Sequence, residues 1–372
     1  FGILMASCIK DEAPNAEADI TGISFEEDVL ANSYIDLNPS YDESQNAYPI
    51  RISVKEGTDM TSLAPIFELT PGATISPASG SVQNFTTPVR YTVTSEDKAW
   101  HRVYAITARE QKASNIPTTY HFEKVRIMQN VWQEFYEEQD SGNELTWASG
   151  NKGFKWAMSE AATEDYPTTQ IDNGKTGKCV KLETRLTGDL GNMVGMPIAA
   201  GNLFIGSFDM LNAITNPLSA TRFGTPFYNK PLRLTGYYKY KAGEQFYENG
   251  EYTSRKDIFN IYAIFYDGVK YDSAGKGTDV TLDGNLPNQN YEHSSMVALA
   301  LVSNPQETEG DEWKFFDIPF DYQRYGKKID EARLAKGEYK IGIIFASSKD
   351  GATFEGAPGS TLLIDEVELI YE

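Results

Sequence analysis

The chain has 372 residues, 40% of them hydrophobic and 12% aromatic, enough for two or three domains with packed cores. Its formal net charge is -20 and its pI about 4.6, a balance that repels phosphate backbones and anionic lipid and so excludes nucleic acid and a charge-bound membrane as partners. With 22 tyrosines and 19 phenylalanines against 3 histidines, the composition favours β-structure and contact surfaces over histidine chemistry.

The chain opens FGILMASCIKDEAP, an apolar run, two small residues and then Cys8. This order reads as the end of a secretory signal with a lipobox, so that residues 1–8 are its remnant and Cys8 is acylated; Met5 stands where leucine is usual. A short apolar start with no such role fits the same residues. Lys10, Asp11 and Glu12 follow, and they resemble the Lys-acid-acid signal of Bacteroidetes lipoproteins that are exposed on the outer face of the outer membrane. Count alone allows a disulfide between Cys8 and Cys179; if Cys8 carries lipid, Cys179 is a lone buried thiol. No run of 18 apolar residues follows, so the expected membrane contact is through the lipid anchor only.

Residues 9–20 are polar and aperiodic, and read as a tether. From 21 to 110 short alternating runs are broken by turn residues. In YPIRISVK, Ile50, Ile52 and Val54 share one face and Arg51, Ser53 and Lys55 the other. This pattern predicts an N-terminal β-sandwich. The stretch GATISPASGSVQNFTTPVRYTVTSEDKAWHRVYAIT resembles the immunoglobulin-like modules that open many Bacteroidetes surface lipoproteins, where they act as spacers.

Residues 111–119 read as a linker, and 120–372 as one larger unit. Its strand-like runs are frequent, among them PLRLTGYYKYKAG, DIFNIYAIFYDG, EWKFFDIPFDY and STLLIDEVELIYE. Helical periodicity is scarce. The expected class is all-β, with a jelly-roll β-sandwich following the immunoglobulin-like one. The segments GKTGKCVKLET, AAGNLFIGSF, NIYAIFYDG, WKFFDIPFDY and SSKDGATFEGAPGSTLLIDEVELIYE resemble the PCMD family, the "putative carbohydrate metabolism domain" of Bacteroidetes lipoproteins. That resemblance covers nearly all of 120–372. It implies a jelly roll of the carbohydrate-binding-module (galactose-binding-like) type, and carbohydrate as the ligand class.

Catalytic motifs are scarce. GKTGKCV, residues 174–180, is a faint echo of a phosphate loop without its spacer or the Ser/Thr after Lys178. Glycoside hydrolysis needs only two carboxylates about 5 to 9.5 Å apart, and 53 acidic residues neither exclude nor single out a pair. The resemblance to carbohydrate-binding modules implies a structural Ca²⁺ between the first and last strands, with Glu123 and Asp365 as its carboxylates. Both residues equally fit exposed strand positions.

Sugar sites combine flat rings with polar groups. Tyr237, Lys239 and Arg233 share one face of RLTGYYKY, and Asn260 and Tyr262 one face of DIFNIYAIFYD. If these strands pair, the tyrosines form a platform; the same alternation describes an ordinary half-exposed face. Trp147, in WASGNKGFKW, is the first choice among the tryptophans for stacking on sugar, with burial under a loop the other reading. The loop of the closing motif offers Asp350, Phe354 and Glu355, unless it only closes a sandwich edge. Three functions fit: a surface lipoprotein that binds glycan for a transporter or hydrolase partner, a glycoside hydrolase, or an adhesion or scaffold subunit.

Overall fold

A computed structural model describes residues 14–32, 34–139 and 142–372, so Cys8, Lys10, Asp11 and Glu12 lie outside the described residues. The chain divides into two compact units, the second beginning at Ser114.

In the first unit Ile50, Ile52 and Val54 are buried, as their alternation predicts. Their strand, Tyr48–Lys55, lies parallel to His101–Gln111, and Val89–Thr94 and Thr74–Ser76 extend that sheet antiparallel. A two-stranded sheet, Ile20–Ser24 with Ile66–Leu69, completes the unit. Phe67, Tyr91, Tyr104 and Ile106 fill the core.

The second unit is built on two antiparallel sheets. The six-stranded sheet runs in the order Thr168–Asp172, Lys178–Glu183, Thr361–Tyr371, Pro231–Lys241, Lys314–Pro319, with Thr119–Tyr120 also pairing on Thr361–Tyr371. The five-stranded sheet runs Asn202–Phe204, Tyr339–Ala346, Asn260–Asp267, Met296–Leu301, with Thr225–Pro226 on Tyr339–Ala346. Leu234, Tyr238, Tyr240, Leu362 and Ile364 meet Ile261, Ala263, Phe265, Ile343 and Phe345 in the core that joins them. The class is therefore all-β, a sandwich.

Two expectations are corrected here. RLTGYYKY and DIFNIYAIFYD do not pair: Pro231–Lys241 belongs to the six-stranded sheet and Asn260–Asp267 to the five-stranded one. Alternation assigned inward and outward faces properly, but it carries no information on which strand is the neighbour. Nor is the outer face of Asn260–Asp267 half-exposed. Tyr262, Ile264 and Tyr266 are buried in a second apolar cluster with Phe204, Phe223 and Ile344. A layer of loops and short helices covers that face, so the strand is buried on both sides.

Three of these helices matter below: α1 (Asn151–Ala157), α2 (Gly188–Met193) and α3 (Met210–Thr215). Asn151 pins α1 to the sheet by bonding both the N–H and the C=O of Thr168. Asp209 caps α3, accepting from Leu211 and Asn212 N–H.

Candidate functional site

The outer face of the five-stranded sheet is the floor of a cavity of about 170 Å³. Strand register sets the floor. Asn202, Ala346 and Asn260 form one cross-strand row, and Phe204, Ile344 and Tyr262 the next. Alanine in the middle of the first row leaves the depth. Phe154 and Trp156 of α1, Gly191 of α2, and Met210 and Ala213 of α3 wall the cavity on one side. Ser348, Ala352 and Phe354 wall it on another.

Among the groups of this largely apolar lining, the amide nitrogens of Asn202 and Asn260, the Lys349 ammonium and the hydroxyls of Tyr262 and Thr221 make no hydrogen bond among the described residues. The Asn260 amide uses its oxygen, which accepts from the Tyr291 hydroxyl at 3.1 Å, and leaves its NH₂ free. The Tyr262 hydroxyl is unpaired, and burial holds its pKa well above the usual tyrosine value. The Thr221 hydroxyl is buried and unsatisfied. Unpaired polar groups inside a protein are costly, and a ligand that bonds them recovers that cost. Among the described residues that line the cavity there is no aspartate or glutamate.

The closing motif is organised by a residue that sequence reasoning missed. Asp257 is buried, and its Oδ2 accepts from the Ser348 hydroxyl (2.6 Å), the Ser360 hydroxyl (2.7 Å) and the Ala357 N–H (2.8 Å). Its Oδ1 accepts from the Ile258 N–H. Burial raises its pKa against these donors. One carboxylate thus ties both ends of the loop 347–360 to the sheet. Within the loop, Phe354 has a left-handed backbone, φ +59°, a conformation that is strained for a bulky residue. Its side chain lines the cavity. Asp350 pairs with Arg255, and Glu355 lies in the same loop without lining the cavity.

The remaining candidates lie elsewhere. Trp147 is 1% exposed and packs in the inter-sheet core on Tyr120, Phe122 and Phe345, which removes it as a sugar platform. Tyr237 and Lys239 are on the outer face of the six-stranded sheet, so they share no surface with Asn260 and Tyr262. Tyr237 packs on Phe315, with the Lys175 ammonium over its ring, and Lys239 lies over Trp313 and pairs with Asp311.

Glu123 and Asp365 are brought to one loop, 173–178, which is the faint phosphate-loop echo of the sequence. Glu123 Oε1 accepts from the Lys178 N–H (2.7 Å), and Asp365 accepts from the N–H of Thr176 (3.0 Å) and of Glu366 (2.8 Å). The glycines have a reason: a Cβ at Gly177 would lie 2.0 Å from Glu123 Oε1, and one at Gly174 would lie 2.7 Å from Asp365 Oδ2. Each carboxylate already holds N–H donors, a set that fits loop closure better than a cation. Among the described residues no cluster of three or more His, Cys, Asp or Glu could hold a metal.

Burial pushes the Asp365 carboxyl up to about 6, with the two N–H donors opposing. The folded chain then keeps a proton that an unfolded aspartate, with a pKa near 3.9, has lost. The stability from this group is full below about pH 4 and declines as pH rises to about 6, by on the order of 2–3 kcal/mol. Urea melts at pH 4, 5, 6 and 7 are expected to show that decline, and Asp365→Asn is expected to flatten it.

Residues 121–370 match the family model "Putative carbohydrate metabolism domain", PCMD, and residues 36–108 match "SGBP, N-terminal", a module of a glycan-binding family. A solved structure from Bacteroides thetaiotaomicron, described as a "putative glycoside hydrolase", is 45% identical, with 98% of this chain and 99% of that one covered and a TM-score of 0.62. A second, from Bacteroides vulgatus and described in the same words, is 50% identical, with 70% of this chain and 100% of that one covered and a TM-score of 0.64. No curated protein matches the chain.

Proposed function

The chain belongs to the PCMD family, and from that premise we propose that it is a lipid-anchored protein of the outer-membrane surface that binds a glycan without cleaving it. On this reading it holds the glycan for a transporter or hydrolase partner. The observation that carries the reading is the outer-sheet cavity, where Asn260, Tyr262 and Thr221 offer unpaired hydrogen-bonding groups beside the rings of Phe154, Trp156 and Phe354. The match of residues 36–108 to the N-terminal module of a glycan-binding family supports the same class of ligand.

A second reading, glycoside hydrolase, is favoured by the description given to both solved relatives. The two-carboxylate route needs a pair of acids flanking the bond, and the lining supplies neither. A glycan array run beside a reducing-sugar assay on the same panel decides. Binding without release of reducing ends supports the first reading, release overturns it, and silence in both leaves an adhesion or scaffold role.

Tyr262→Phe removes one hydroxyl and keeps the ring. It is expected to weaken glycan binding by about 0.5–1.5 kcal/mol, roughly two- to twelve-fold in Kd. Tyr237→Ala and Lys239→Ala, on the other sheet, are expected to leave Kd unchanged in the same titration. The Ca²⁺ expected at Glu123 and Asp365 competes with the loop-closing role of these carboxylates, and melting tests it. A melting temperature raised by Ca²⁺, with the rise lost in Asp365→Asn, would retain the ion; identical melts in Ca²⁺ and EDTA would remove it.

A further inference from the structure

The cavity is less polar than a bare sugar requires. Its volume of about 170 Å³ is close to the ~150 Å³ of an apolar cavity that stays dry and takes benzene. Phe204, Ile344 and Ala346 floor it, and Phe154, Phe208 and Met196 stand in its walls. A pyranose carries hydroxyls on most of its ring carbons. The polar groups of the lining, Asn202, Asn260, Tyr262 and Thr221 with Lys349, are outnumbered by apolar ones, and every stranded hydroxyl disfavours entry.

Part of the exposed surface of the walling helices has the same chemistry. The three helices that wall the cavity are in contact, α1 touching both α2 and α3. Their exposed residues include large apolar ones, Met193 at 83% and Leu211 at 84% with Trp156 and Leu190, beside the polar Lys152, Asp189 and Asn192. Large apolar side chains left exposed on the helices that wall an apolar cavity suit an apolar ligand group better than a bare sugar. Flat rings suit the C–H face of a sugar, whereas flexible methionine and leucine suit an alkyl or acyl chain.

We infer that the cavity takes an apolar substituent of the glycan, an alkyl, acyl or aryl group, while the saccharide itself lies at the mouth. The inference rests on the glycan-binding reading and deepens it to a ligand class, the amphipathic glycoside or acylated glycan. Asn260 NH₂, Tyr262 OH and Thr221 OH then serve the linkage atoms, a glycosidic or ester oxygen, rather than a full set of ring hydroxyls.

The test is calorimetric titration of the full chain with methyl, butyl, hexyl and octyl β-glucosides below their micelle concentrations, with phenyl β-glucoside and hexan-1-ol alongside. Affinity is expected to rise roughly fourfold per added methylene until the cavity is filled, then to level off. Octyl against phenyl glucoside separates a lipid-like chain from an aryl substituent. Ala213→Leu, which narrows the cavity from α3, should flatten the series. If that variant fails to fold, Met193→Ser with Leu211→Ser tests the walling helices at positions too exposed to support the fold; it should weaken the octyl compound and spare the methyl one. Equal affinity for methyl and octyl glucosides overturns the inference, as does a chain-length series that Ala213→Leu leaves untouched. Glycan-array binding without chain-length dependence sinks this inference and keeps the glycan reading. Hexan-1-ol binding as tightly as hexyl glucoside, with a silent array, keeps the apolar cavity and sinks the glycan reading.

Discussion

Asp257→Ala is expected to lower the stability of the C-terminal unit by about 3–5 kcal/mol and to release the loop 347–360. The substitution strands three buried donors at once, the hydroxyls of Ser348 and Ser360 and the N–H of Ala357. Each buried donor left unpaired costs about 1–3 kcal/mol, and partial relaxation keeps the total below their sum. Asp257→Asn retains the shape and one acceptor oxygen, so it should lose less. Urea melts give the magnitudes. Hydrogen exchange gives the location: in Asp257→Asn, amides 348–360 should lose protection before those of the sheets do. Because Ser348, Ala352 and Phe354 wall the cavity, ligand affinity should fall in Asp257→Asn even where the chain stays folded. Equal loss of protection across both sheets would show that Asp257 serves the whole unit rather than this loop.

The closing motif also shows how far the sequence can be read. Its loop stood out as a candidate place for binding residues or as the closure of a sandwich edge, and Phe354 does line the cavity. Its anchor was not legible, because Asp257 lies about a hundred positions upstream and resembles any of the other acidic residues. Local alternation identified which residues of each strand share a face, since side chains alternate with period two. Asn260 and Tyr262 were accordingly grouped, and they floor the cavity together. Which strand lies beside them is a non-local fact, and so is the layer that covers them. Tyr237 therefore joined their group on paper and left it in three dimensions. One signal of the covering layer was present in the chain. Residues 186–229 carry two acids, Asp189 and Asp209, in a protein where one residue in seven is acidic, and three of the eight methionines, Met193, Met196 and Met210, fall there. A sparsely charged, methionine-rich stretch inside an acidic chain reads as the lining of something apolar.

Trp147→Ala is expected to lower stability by about 3–5 kcal/mol, the range for truncating a fully buried aromatic. Its indole sits between the sheets, with ring centroids 5.0 Å from Tyr120, 5.7 Å from Phe122 and 5.9 Å from Phe345. The backbone around it is fixed, since Trp147 N–H donates to Phe135 C=O and Ala148 pairs with Phe204. Truncation therefore leaves a void that main-chain movement cannot close. The indole N–H is buried without a partner, so Trp147→Phe removes a polar group that stability does not depend on and should lose much less than alanine. That milder variant separates the two roles weighed for this residue. A core tryptophan predicts a lower urea midpoint and unchanged ligand affinity in the folded fraction. A sugar-stacking tryptophan predicts the reverse, a preserved midpoint and weakened binding. Midpoint and Kd measured on the same preparation of Trp147→Phe check the packing role: a preserved midpoint with weakened binding overturns it.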